Sequence, residues 1–128
     1  MSFRVGLGFD AHRLVADCRL VLGGVGISFD KGLEGHSDGD VVLHALTDAL
    51  LGAVGGPDIG RLFPSGEPRW KGAASRIFVE RAVQIVGERG YRVTQVDIVI
   101  IAEAPRLAPH FEAMQALIGE LLGVSAGS

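Results

Sequence analysis

Residues 93–102 read Val-Thr-Gln-Val-Asp-Ile-Val-Ile-Ile-Ala, a stretch so rich in β-branched side chains that it favours extended structure. Near-continuous Val and Ile is the pattern of a central strand buried on both faces, so it demands a sheet. Phe3, Val5, Leu7 and Phe9 alternate with Arg4, Gly6 and Gly8, which predicts a second strand with one buried face. Residues 19–22 and 25–29 flank Gly23-Gly24, a hairpin signal. Residues 30–39 form a loop rich in glycine and charge.

Three stretches carry helical spacing instead. Ser37-Asp38-Gly39-Asp40 has the S-x-x-D form of a helix start, and Val41, Val42, Ala45, Leu46, Ala49 and Leu50 follow on one face. Residues 73–89 repeat the pattern with Ile77, Phe78, Val79, Ala82, Val83 and Val86, and Gly90 is placed to end the helix. Pro109 opens a third, in which Phe111, Met114, Leu117, Ile118, Leu121 and Leu122 share a face that Gly123 closes. Residues 58–68 show no periodicity and read as a loop. The order predicts an α+β fold of two layers, a small mixed β-sheet with helices on one face.

A length of 128 residues suits a single domain over 1–128, and 48% hydrophobic residues can fill its core. The net charge of −3 carries no basic run, which argues against nucleic acid as the main partner. Cys18 stands alone, so no internal disulfide can form and a reducing compartment fits. No apolar run is long enough to span a bilayer, and only Met1 and Ser2 precede the first strand-like segment. The expectation is a cytoplasmic protein without membrane contacts.

The chemistry concentrates between residues 10 and 44. Asp10 and His12 are two apart, so in extended chain both side chains point the same way. His44 lies on the first helix, with Asp40 and Asp48 four residues to either side and able to orient its ring. Carboxylate and imidazole are common ligands of a catalytic divalent ion, and three protein ligands leave a coordination position open. Spacing alone leaves a second reading open, with His12 on the surface and His44 a hydrogen-bonded core residue. His36-Ser37, at the predicted helix start, combines imidazole, hydroxyl and free N–H groups suited to an anion, although Ser37 could serve as cap alone. Gly6-x-Gly8-x-x-Ala11 matches a dinucleotide fingerprint only superficially, because Asp10, His12 and Arg13 replace the helix start that would hold a pyrophosphate.

These motifs, in this order, resemble the 2-C-methyl-D-erythritol 2,4-cyclodiphosphate synthase family of the non-mevalonate isoprenoid pathway. The carriers are Gly8-Phe9-Asp10-Ala11-His12-Arg13, His36-Ser37-Asp38-Gly39-Asp40-Val41 and Leu43-His44-Ala45-Leu46-Thr47-Asp48-Ala49-Leu50-Leu51-Gly52. Asp58-Ile59-Gly60-Arg61-Leu62-Phe63-Pro64, Lys71-Gly72 and Ile100-Ile101-Ala102-Glu103-Ala104-Pro105-Arg106 extend the match along nearly the whole chain.

The resemblance implies an enzyme, a phosphorus–oxygen lyase, with a zinc or other divalent ion on Asp10, His12 and His44. It implies that His36 and Ser37 contact substrate phosphate, with His36 and Asp58 closest to the chemistry. Asp58, Ile59 and Gly60, with Phe63, Pro64, Ser65, Gly66 and Glu67, would line a methylerythritol pocket. Ala102, Glu103, Ala104, Pro105, Arg106, Leu107 and Ala108 would match a cytidine-binding segment. The implied substrate is a small diphosphocytidyl compound, and the implied assembly is a homotrimer with active sites between subunits.

Two positions depart from the family. A histidine is common where this chain has Leu7. The family also continues past the third helix with a Thr-Thr-Glu segment and a final strand, which help hold a second ion, magnesium or manganese. This sequence stops before them, so either it is incomplete, which is the expectation because a sheet lacking the strand would expose apolar surface and an open edge, or the protein lacks part of its diphosphate site. A second reading follows: an impaired zinc-binding trimer of the same family that acts only in binding or assembly.

Overall fold

The computed structural model describes residues 2–64 and 66–128. Three helices carry the core: α1 (Val41–Ala53), α3 (Arg76–Glu88) and α4 (Phe111–Leu122). Helix α1 packs on α3, and α3 on α4. Leu43, Leu46, Leu50 and Leu51 of α1 meet Val79, Ala82, Ile85 and Val86 of α3, while Met114, Ile118 and Leu122 close the other side. Each such Val, Leu, Ile or Met side chain, fully buried, stabilises the fold by about 1.5–3 kcal/mol before chain entropy is counted.

Two short antiparallel sheets border the helices. The predicted hairpin forms from β2 (Leu20–Leu22) and β3 (Val25–Ile27), with Leu22 opposite Val25. Gly23 (φ 59°) and Gly24 (φ 79°) supply the paired positive φ values that a tight hairpin turn requires. The charged loop contains an element that its composition did not predict, β4 (Lys31–Leu33), which pairs with β1 (Leu14–Ala16). The expected single mixed sheet is therefore replaced, among the described residues, by two two-stranded antiparallel ones. The α+β class holds.

The start of α1 corrects a second expectation. Ser37 does not cap it; Asp40 does, accepting from Val42 N at 3.1 Å and Leu43 N at 3.0 Å. The same carboxylate accepts from Gly23 N at 3.0 Å and Gly24 N at 2.7 Å, so one buried side chain ties the hairpin turn to the helix. Residues 58–68 are also more ordered than a plain loop: Asp58 caps a single turn, α2 (Ile59–Leu62), and a 3₁₀ turn spans Pro68–Trp70.

The largest differences concern the two predicted strands. Residues 2–10 and 91–102 enter no ladder among the described residues. In residues 2–10 the buried face is the opposite of the predicted one. Phe3, Val5, Leu7 and Phe9 stand 82–94% exposed, while Gly6 and Gly8 lie against α1. A Cβ on Gly6 would sit 1.8 Å from the Ala49 carbonyl oxygen, and one on Gly8 1.8 Å from that of Ala45. Only glycine permits this approach, so the apolar row faces away from the helix. Val93, Val96 and Ile100 pack on the core, whereas Val99 and Ile101 are exposed, so residues 93–102 are not buried on both faces. β-Branching favours the extended shape, but burial of the second face needs a partner that the described residues do not supply.

Candidate metal centre

The close approach of Gly8 to Ala45 sets Asp10 beside the next residue back on α1, His44. The β1–β4 pairing fixes the other side: Glu34 N donates to the Arg13 carbonyl at 2.9 Å, and the Glu34 carbonyl meets His12 Nδ1 at 2.6 Å. Asp10 Oδ2 then lies 2.8 Å from His12 Nε2 and 3.2 Å from His44 Nδ1. One potential ligand atom from each of the three residues falls within 4.8 Å of the others. Their side chains are 14–27% exposed, shielded yet open to solvent on one side. Phe78, 5.5 Å from His44 between ring centres, begins an apolar wall that continues through Phe63 and Trp70.

The donor set fits a cation. A carbonyl accepts only, so His12 Nδ1 carries a hydrogen toward Glu34 and, in the neutral ring, Nε2 presents a lone pair. That lone pair faces a carboxylate oxygen, and two acceptors at 2.8 Å require a proton or a metal ion between them. Burial pushes the Asp10 carboxyl up, but the hydrogen bonds and charge that the His44 and His12 rings supply when protonated outweigh it and hold the group below its ordinary value, and a bound metal ion would take the place of those protons. Asp10, His12 and His44 can therefore hold a divalent metal ion.

The neighbouring predictions divide. Ser37 is brought to the site, with Oγ 3.1 Å from His44 Nε2. His36 donates from Nε2 to the Glu67 carbonyl at 2.7 Å, which joins two segments predicted to touch substrate. Neither Asp40 nor Asp48 orients His44: Asp40 caps α1, and Asp48 accepts from Ile59 N at 3.2 Å. Asp58 accepts from Arg61 N at 2.9 Å and makes no hydrogen bond to the three-residue group. Glu67 Oε2 accepts from Arg69 Nε and Trp70 Nε1. Ile59 is half-buried, whereas Gly60, Pro64 and Gly66 are exposed; Ser65 lies outside the described residues. Residues 102–108 form a largely exposed loop that no hydrogen bond joins to Asp10, His12 or His44; Leu107 turns into the core, so it can offer a ligand only its backbone. Ser75 was not anticipated. Its Oγ lies 2.9 Å from His44 Nε2, a contact made across 31 residues that local spacing cannot signal.

Comparison with known proteins identifies the chain. The model of the YgbB family matches residues 3–128. The chain is 50% identical to the 2-C-methyl-D-erythritol 2,4-cyclodiphosphate synthase of Aquifex aeolicus, over 97% of this chain and 80% of that protein. It is 57% identical to the bifunctional enzyme IspD/IspF of Erythrobacter litoralis, over 98% of this chain but only 32% of that longer protein. Among solved structures, a 2C-methyl-D-erythritol-2,4-cyclodiphosphate synthase in a CDP-bound form superposes with a TM-score of 0.90 at 41% identity, covering 97% of this chain and 83% of the other. A sequence and a fold shared to this extent, around three residues able to hold a metal ion, place the chain in the YgbB family of 2-C-methyl-D-erythritol 2,4-cyclodiphosphate synthases.

Proposed function

We propose that this chain cyclises 4-diphosphocytidyl-2-C-methyl-D-erythritol 2-phosphate to 2-C-methyl-D-erythritol 2,4-cyclodiphosphate. An oxygen of the 2-phosphate bonds to the β-phosphorus, the bond from that phosphorus to the bridging oxygen breaks, and CMP leaves with that oxygen. The nucleophile is already an anion, so the reaction needs positioning and charge neutralisation more than a strong base. The observation that carries this reading is the convergence of Asp10, His12 and His44 at one carboxylate oxygen. A divalent ion bound there, which we read as zinc, supplies a Lewis acid with an open position for a phosphate oxygen.

The protein's own groups do the rest. Ser37, beside His44, offers its hydroxyl to a phosphate, and His36 places its imidazole next to it on a loop anchored to the Glu67 carbonyl. Asp58, Ile59 and Gly60 with the 63–67 segment line the sugar site, and the backbone of 102–108 takes the cytidine. The assembly is a homotrimer with sites between subunits, in the cytoplasm. Its support is the apolar row of Phe3, Val5, Leu7 and Phe9 with Val99 and Ile101, a surface of the kind that oligomers bury. No helix among the described residues is long and apolar enough to cross a membrane.

The test is CMP release from the authentic substrate, followed with the phosphorus spectrum of the product. The expected result is equimolar CMP and cyclic diphosphate, abolished by a chelator and restored by zinc. No CMP from protein that still binds zinc would favour the second reading, a trimer acting only in binding or assembly.

A further inference from the structure

The His44 ring is held at both nitrogens. Nδ1 faces Asp10 Oδ2 at 3.2 Å, while Nε2 meets Ser75 Oγ at 2.9 Å and Ser37 Oγ at 3.1 Å. Ser75 is fully buried at the start of α3, and its side chain makes no capping hydrogen bond there. Its hydroxyl instead donates to Asp38 Oδ1, and its backbone N–H donates to Asp38 Oδ2 at 2.9 Å. Asp38 is fixed in turn: Oδ1 also accepts from Asp40 N at 3.0 Å, and its own N–H donates to the Ala73 carbonyl at 2.9 Å.

Counting protons gives the direction of this chain. An ionised carboxylate only accepts, so the single proton of Ser75 is committed to Asp38. Ser75 Oγ then has only lone pairs for His44, and Nε2 must carry the ring hydrogen. In the neutral imidazole Nδ1 is left bare, facing the same Asp10 oxygen as His12 Nε2. Ser37 cannot set this choice, because no carboxylate orients its hydroxyl and it can donate or accept.

We propose that Asp38 and Ser75 form a hydrogen-bond relay that fixes His44 in the tautomer presenting Nδ1 to a divalent ion. Ser75 is thus a positioning residue that touches neither metal nor substrate. The proposal rests on the metal reading of Asp10, His12 and His44.

The test combines nitrogen NMR of the histidine rings in metal-free protein with titration by cobalt(II) alone. In wild type, His44 is expected to carry its hydrogen on Nε2. Ser75→Ala is expected to lose that single tautomer and weaken cobalt binding by about 10–100-fold, the usual effect of removing a partner of a metal ligand. Ser75→Thr keeps the hydroxyl and is expected to restore both readouts. If Ser75→Ala does not fold, Ser75→Cys, with its weaker donor and acceptor, is expected to shift both in the same direction. A neutral wild-type His44 with its hydrogen on Nδ1 rather than Nε2 overturns the relay, as does a Ser75→Ala protein with unchanged tautomer and cobalt affinity. Wild type that takes up no cobalt overturns the metal reading itself, and the relay's role with it.

Discussion

Two carboxylates on this chain are shifted in opposite directions, and each shift reports a different job. Asp10 is held low by its two imidazoles. A folded value below the unfolded 3.8 means that its contribution to stability is present above 3.8 and lost as pH falls through the folded value. Asp40 is pushed high by burial, with only partial relief from the N–H groups of Gly24, Leu43 and Gly23. Its proton stays on longer in the folded state, so its contribution is greatest below 3.8 and declines as pH rises toward the folded value. Urea unfolding of wild type and Asp40→Ala across this range should show the gap narrowing as pH rises. Because Asp40→Ala leaves buried N–H groups without an acceptor, the loss should be about 3 kcal/mol where the gap is widest. Asp10→Asn should weaken cobalt binding on the order of 100-fold by removing the only charged ligand. Spacing placed Asp10, His12 and His44 as candidates but left a second reading open, and the family resemblance singled them out; folding brings them together. The S-x-x-D motif places the helix start but leaves open which residue caps it, and Asp40, its last residue, makes the capping bonds, so Ser37 does not serve as the cap.

Among the elements, the extended segment 2–10 matters most, because it delivers Asp10. Its position depends on two missing side chains rather than on a ladder. Gly8→Ala would drive a Cβ into the Ala45 carbonyl. The segment must then lift off α1, at a cost of about 1–3 kcal/mol, and carry Asp10 away from His44. Calorimetry and cobalt titration should show both losses, whereas Gly87→Ala, which meets nothing within 4 Å, should leave cobalt affinity unchanged. The sequence announced three helices well, since an apolar stripe depends only on local spacing. It was poorer for strands. Val and Ile at 93–102 predicted a strand buried on both faces, whereas the segment joins no ladder among the described residues and leaves Val99 and Ile101 exposed, because pairing and burial depend on a neighbouring strand. The short β1–β4 pair passed unnoticed because Lys31 and Gly32 carry no strand pattern.

For the whole molecule, the telling feature is where the apolar surface lies. Helix α1 covers residues 2–10 at Gly6 and Gly8, while the other side presents four large hydrophobic groups almost fully to solvent. A homotrimer would remove this surface from water. Sedimentation should therefore give three chains per particle, and Val5→Asp should shift the protein toward monomers, since a charge on that row opposes burial.

Whether Asp10, His12 and His44 surround a metal ion is decided by anomalous X-ray scattering from zinc-loaded crystals. One anomalous peak is expected at the zinc edge, about 2.0–2.2 Å from Asp10 Oδ2, His12 Nε2 and His44 Nδ1. Zinc-loaded crystals with no peak there, or with a peak bound through His44 Nε2, would contradict this arrangement.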